Sequence, residues 1–396
     1  MLLSIALIFL CALLLSGILI KFKLPGLLGM LIVGIVLGPY VLNLLDDSIL
    51  NISADLRTIA LIVILLKAGL SMNLNDLRKV GRPAILMSFV PASLEIIAFI
   101  VFAPMLLGIT YLEAGLIGAV MSAVSPAVVI PKMSKLIDEG YGTDKAIPQM
   151  IIAGASADDV FVIVIFTSLI SIATGGSFSI SDLTKIPVSI VLGLIGGIGI
   201  GFILVWLFKK YHMRDTIKVL ILISISILFM PLEDLLSGII GFSGLLAIMA
   251  LGIIIFNRYP VLAQRLSGKF VKLWVAAEIA LFVLVGSEVD ISYVVNAGFI
   301  TVVLIFIGLI FRLAGTYLCG IKTQFNSKER LFIMISQIPK ATVQAAIGAI
   351  PLSLGLSCGD LVLTFAVVSI LITAPLGAFL IDVTHKKLLT GINKQI

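Results

Sequence analysis

Thirteen apolar stretches follow one another along the 396 residues, at about 2–20, 25–45, 54–73, 83–107, 112–137, 146–173, 185–208, 216–232, 238–256, 271–290, 294–318, 329–354 and 360–381. Most of these stretches approach the roughly 20 apolar residues that a membrane-spanning helix needs. The expected fold is therefore an all-α polytopic membrane protein with about 13 transmembrane helices. Composition agrees: 60% of residues are hydrophobic and 12% charged, against about 25% charged in a soluble domain. A soluble enzyme is excluded, and no nucleic-acid partner is expected from the net charge of +6; the lipid bilayer is the partner.

The basic residues set the orientation. With the N-terminus outside, alternate loops and span ends on the inner side hold 22 of the 27 Lys and Arg, while the outer loops carry Asp46, Asp47, Glu113, Asp182, Glu233, Asp234 and Asp360. Positive charge is retained on the cytoplasmic side, which predicts N-terminus out and C-terminus in. The first apolar run has its lysines after it and lacks a small-x-small cleavage site, so it reads as a true first helix. About a dozen residues follow the last span, and residues 1–396 are expected to form a single transmembrane unit without a soluble domain. Cys11, Cys319 and Cys358 have no metal or disulfide spacing and read as small apolar residues. His212 and His385 sit among basic loop residues at the surface.

An internal repeat organises the spans. Gly26-Leu27-Leu28-Gly29-Met30-Leu31-Ile32-Val33-Gly34 recurs as Gly244-Leu245-Leu246-Ala247-Ile248-Met249-Ala250-Leu251-Gly252, taking span 2 onto span 9. At nearly the same offset Gly69 falls on Gly286, and Glu95 in span 4 falls on Arg312 in span 11. An offset of seven spans, an odd number, inverts the second copy across the membrane. Inverted-topology repeats place substrate near the midplane, on discontinuous helices. Spans 5 and 12 are the candidates: the first contains Pro126 and Pro131, the second Pro339. Proline removes a backbone donor and frees carbonyls one turn back. Two broken, crossing helices are expected there, their exposed ends available to a cation or to a buried charge.

Charge within the spans marks the site. Asp158 and Asp159 lie in the apolar stretch 147–172, and a carboxylate at bilayer depth costs at least about 2.5–3.5 kcal/mol unless a partner or a watery cavity offsets it. Consecutive residues on a helix point about 100° apart, so one aspartate can face the helix crossover while the other meets a fixed positive group, for which Lys340 is the candidate. A desolvated carboxylate tuned near neutrality holds either a proton or a small hard cation, not both. That competition yields exchange once access alternates. Ser125, Ser156, Thr342 and freed carbonyls offer further oxygens to sodium. Glu95 and Arg312, matched across the repeat, are expected to form a structural ion pair. Lys67 is expected to snorkel to the inner face, and Glu278 is given no role.

These residues carry a resemblance. Leu24-Pro25-Gly26-Leu27-Leu28-Gly29-Met30-Leu31, Lys67-Ala68-Gly69-Leu70, the segment Ala123 to Pro131, Ser156-Ala157-Asp158-Asp159 and Pro339-Lys340-Ala341-Thr342-Val343-Gln344-Ala345 together resemble the sodium/proton antiporters of the monovalent cation:proton antiporter superfamily, and most closely their NHA-type clade. The resemblance covers essentially the whole chain. It implies a homodimer in which spans 1–2 and 7–9 form a dimerisation scaffold and spans 3–6 and 10–13 an ion-carrying core that moves as an elevator. It implies that Asp159 binds Na+ or Li+ in alternation with a proton, that Asp158 faces Lys340, and that Glu95 and Arg312 pair between core helices. No cofactor is implied, only transported ions, and no enzyme activity. Roles in sodium tolerance and pH homeostasis, in a bacterial inner membrane, are the expected setting.

Two rival readings fit the same chain. One is a K+/H+ antiporter, which in this superfamily usually carries a cytosolic nucleotide-binding domain. The other is a Na+-coupled symporter of an organic anion, which would want a free cationic side chain where Arg312 and Lys340 already face acids.

Overall fold

The computed structural model describes residues 1–22, 24–72, 81–175, 180–237 and 242–391. Among these the regular elements are helices, apart from an isolated bridge between Tyr141 and Gly391. In chain order they begin with α1 (Leu2–Lys21), α2 (Gly26–Leu37), α3 (Asp47–Asn51), α4 (Ser53–Gly69), α5 (Arg82–Met87) and α6 (Val90–Leu107). Next come α7 (Tyr111–Met121), α8 (Pro126–Glu139), α9 (Ile147–Thr174), α10 (Ile180–Lys210), α11 (Asp215–Ser237) and α12 (Gly244–Arg258). The chain continues with α13 (Pro260–Ser287), α14 (Ile291–Cys319), α15 (Ser327–Ser336), α16 (Thr342–Ile347), α17 (Ile350–Ser353) and α18 (Gly359–Leu388).

The fold is the all-helical polytopic one that the apolar stretches predict. Among the described residues nine helical spans are long and apolar enough to cross a membrane, and shorter apolar helices occupy other expected positions. The differences in length have local causes. The second stretch, expected over 25–45, is helical for only 12 residues, a rise of about 18 Å. Pro25 caps it at one end, and at the other Gly38 is extended ahead of Pro39, since a residue before proline is driven out of the helical region. The stretch expected over 329–354 is three helical pieces, α15 to α17.

The chain divides into two compact units. The first comprises residues 1–52, 75–162 and 282–396. In it α6 packs along α14 and α7, and α18 lies against α7, α14, α15 and α17. Phe99 of α6 meets Phe365 of α18 edge to face at 5.7 Å between centroids. On the side where the loops are basic, Lys145 pairs with the buried Glu329 at 2.8 Å, and the amide of Gly142 donates to the Thr390 carbonyl. The second unit comprises residues 53–74 and 163–281. There α12 is central, packed by α4, α10 and α11. Lys67, expected to snorkel, is half-buried with its Nζ 5.6 Å from the centre of the Trp274 ring.

The repeat appears in the packing itself. In the first unit a methyl group built on Gly286 would lie 3.2 Å from the Gly34 Cα, and in the second a methyl on Gly252 would lie 2.9 Å from the Gly69 Cα. Gly34 corresponds to Gly252 and Gly286 to Gly69 in the repeat, so each unit holds one copy of the same glycine crossing. Small residues let helix backbones approach this closely in lipid, where no hydrophobic drive exists between helices.

Candidate functional site

Both expected breaks are present, and they touch. The first covers residues 122–125, between the end of α7 and Pro126, the first residue of α8. The second covers residues 337–341, between α15 and α16. Pro126 sits where its missing N–H costs nothing, at a helix start, and Pro339 lies within the second break. Pro131 does not contribute to a break: it lies inside the continuous helix Pro126–Glu139. The breaks meet through the Ser125 amide, which donates to the Pro339 carbonyl at 2.8 Å, and through the Ser125 and Thr342 hydroxyls, 3.5 Å apart.

The freed carbonyls are not left open. Those of Val120 and Ala123 both accept from Gln344 Nε2, at 3.0 and 2.9 Å. Met121 accepts from Lys340 Nζ, and Ser122 from Arg312 Nη1. The next amide, on Val124, donates to Asp158 Oδ2 at 3.0 Å. The negative end of α7 is thus met by two cations and an amide, as its dipole and orphan acceptors require. Of the two uses expected for these carbonyls, a cation or a buried charge, the structure shows the second at Met121 and Ser122.

Five charged groups gather around the crossover, and their partners differ from those expected. Asp158 pairs with Arg312, Oδ2 to Nη2 at 2.7 Å, rather than with Lys340. Lys340 pairs with Glu95, its Nζ 2.7 Å from Oε1 and 2.8 Å from Oε2. Glu95 also meets Arg312 at 3.4 Å, the pair anticipated from the repeat. Arg312 completes its fork on Gln337, with Nε donating to the carbonyl at 3.0 Å and Nη2 to Oε1 at 2.9 Å. Glu95, Asp158, Arg312 and Lys340 are fully buried. A single cation shared between two acids cannot be inferred from residue spacing, which explains why the sequence suggested separate pairs.

Asp159 stands apart. It is 9% exposed, and its Oδ1 has no hydrogen-bond partner. Among the described residues no Lys or Arg lies within ion-pair distance of it. Buried polar atoms are nearly always satisfied, so such an oxygen asks for an explanation. Of the remaining expected ligands, Ser125 and Thr342 lie at the crossover, both buried, while the Ser156 side chain falls outside the described residues. Gln337 and Gln344 are site residues that the charge pattern does not mark. Their signal was a pair of amides in an apolar span, each near a proline break.

Known proteins resemble this chain in sequence and in fold. The family model described as "Sodium/hydrogen exchanger, transmembrane" matches residues 5–386. Sodium/hydrogen exchanger 9B2 of Homo sapiens is 31% identical over 388 residues, covering 94% of this chain and 71% of that protein. Sodium/hydrogen exchanger 9B1 of Homo sapiens is 32% identical over 378 residues, covering 93% and 73%. Among solved structures, that of the sodium proton antiporter MjNhaP1 from Methanocaldococcus jannaschii at pH 8 superposes with a TM-score of 0.83 at 20% identity, covering 98% of this chain and 99% of that one.

Proposed function

The chain belongs to the transmembrane sodium/hydrogen exchanger family, and from that premise we propose that it exchanges Na+, or Li+, for H+ with Asp159 as the alternating carrier. One observation carries the reading. Glu95, Asp158, Arg312 and Lys340 contribute two negative and two positive charges, each ion-paired within the cluster. Asp159 is the remaining acid of the five charged groups and, among the described residues, the one outside every ion pair. A lone carboxylate beside a balanced cluster is neutralised equally well by one proton or one monovalent cation. Hard cations prefer oxygen ligands, and the hydroxyls of Ser125, Thr342 and Ser156 are the proposed supplements.

The pairing of Lys340 with Glu95 bears on stoichiometry. Loading Asp159 does not directly remove the partner of Lys340, so the lysine keeps its proton through the cycle. One proton then moves per cation, and the exchange carries no net charge. Alternating access by an elevator-like motion, a homodimer built on spans 1–2 and 7–9, an outer N-terminus and inner C-terminus, and a role in sodium tolerance and pH homeostasis in a bacterial inner membrane complete the proposal. The loop charges support the orientation.

The test is proton flux in sealed proteoliposomes carrying an internal pH dye, with Na+, Li+ or K+ added in turn. Cation-dependent flux in the wild type, lost in Asp159→Asn, supports the reading and ranks the ions. Equal flux in the variant would remove Asp159 from the mechanism. A response to K+ alone would favour potassium/proton exchange.

A further inference from the structure

We infer that Gln344 is a positioning residue for exchange: its amide nitrogen holds the Val120 and Ala123 carbonyls together and fixes the broken stretch on which Asp158 and Ser125 depend. The inference rests on the proposed exchange at Asp159, and it assigns a task to a residue that neither binds the cation nor carries charge.

Six backbone groups of residues 120–125 take partners from elsewhere in the fold. Gln344 takes the first and fourth carbonyls, Lys340 the second and Arg312 the third. Asp158 takes the Val124 amide and the Pro339 carbonyl the Ser125 amide. Three of these side-chain partners, Lys340, Arg312 and Asp158, are ionisable members of the cluster whose field changes when Asp159 trades a proton for a cation. Gln344 alone among the side-chain partners is neutral, so its grip does not depend on the load. It is fully buried and spans the crossover from α16 to the end of α7. A carbonyl left without a donor in such a place would compete for Lys340 and Arg312, drawing Arg312 from Asp158. The amide prevents that by occupying both acceptors.

The discriminating substitution is Gln344→Glu. The protonated acid retains the shape and one donor, whereas the ionised acid has no donor and faces two carbonyl oxygens. Position 344 would then titrate where the wild type has nothing to titrate. The charged groups around it are Lys340 on the second break, Glu95 on α6, Arg312 on α14, and Asp158 and Asp159 on α9. The packed helix α7 has its only titratable groups, Tyr111 and Glu113, at its far start. The other packed helix, α18, has none between Asp360 and Asp382.

The experiment measures sodium-dependent proton flux in proteoliposomes for wild type, Q344E, Q344M and D159N, from about pH 6 to about pH 9. The expected result is that the ratio of Q344E to wild-type rate falls at least about tenfold as pH rises, as expected when buried acceptors lose their donor. Q344M should raise the sodium concentration for half-maximal flux at every pH. If Q344M does not accumulate as folded protein, Q344E decides alone. A Q344E-to-wild-type ratio constant with pH, whether near one or uniformly low, would overturn the inference, since a merely structural residue would give that result. D159N separates the two readings: flux lost there, with a flat Q344E ratio, leaves the carrier assignment standing and removes only Gln344.

Discussion

Arg312 spends all five of its N–H donors inside the protein, on Gln337, Ser122, Glu95 and Asp158. The planar guanidinium suits this, presenting its donors in a fixed fork that a lysine cannot reproduce. Arg312→Ala would leave two buried carboxylates short of a cation, and removing one partner of a buried pair typically costs about 3–5 kcal/mol. Thermal unfolding of the detergent-solubilised variant should show a loss of that order, with Arg312→Lys intermediate; an unchanged melting temperature would show that the cluster does not hold the fold. Outside the spans, Asp46 gives a pH prediction of its own. Its carboxylate is held down to about 2, first by the Ser48 hydroxyl, then by the Ser48 amide and the amino group of Met1. The folded state therefore favours the ionised form. This stabilisation is complete above the ordinary aspartate range and is lost as pH falls towards about 2. Asp46→Asn should lower stability to unfolding at neutral pH and converge with the wild type as pH falls towards about 2, leaving transport between neutral and alkaline pH as in the wild type.

At the scale of elements, the two glycine crossings make parallel predictions. Gly252→Ala places a methyl 2.9 Å from the Gly69 Cα, where only backbone can yield. Forcing an extra carbon into a close-packed contact costs about 1–3 kcal/mol. Gly286→Ala, the other crossing, should cost a similar amount, read as the shift in thermal unfolding. Much of this level was legible in sequence, because glycine spacing and the offset between repeats survive as letters. Ser125 and Thr342 show the limit. They also stand 217 residues apart, like Glu95 and Arg312, yet a serine and a threonine in apolar sequence give no reason to be matched. Pro131 shows the opposite failure: a proline in the right span that the helix simply absorbs.

For the whole molecule, membrane embedding, the inverted repeat and the membership of residues in one charged cluster could be read from the chain, because burying charge in lipid is expensive enough to leave a mark. Partner choice within the cluster could not. Asp158 to Arg312 and Lys340 to Glu95 are decided by how side chains from three helices and the second break converge. That choice predicts electroneutral exchange: proteoliposomes clamped at different membrane potentials with a potassium ionophore should show sodium-driven proton flux independent of potential. Flux that rises with potential would mean that Lys340 releases its proton as well.

Two pairs of repeat-equivalent residues touch one another, Glu95 with Arg312 and Ser125 with Thr342. Equivalent positions can meet only on the axis that relates the halves. In an ancestor assembled from two identical half-length chains, any residue on that axis would face its own copy. Glutamate would then meet glutamate, or arginine arginine, and buried like charges repel at short range. The acid-to-base contact at the centre of this exchanger therefore requires two halves of different sequence, which a single polypeptide provides.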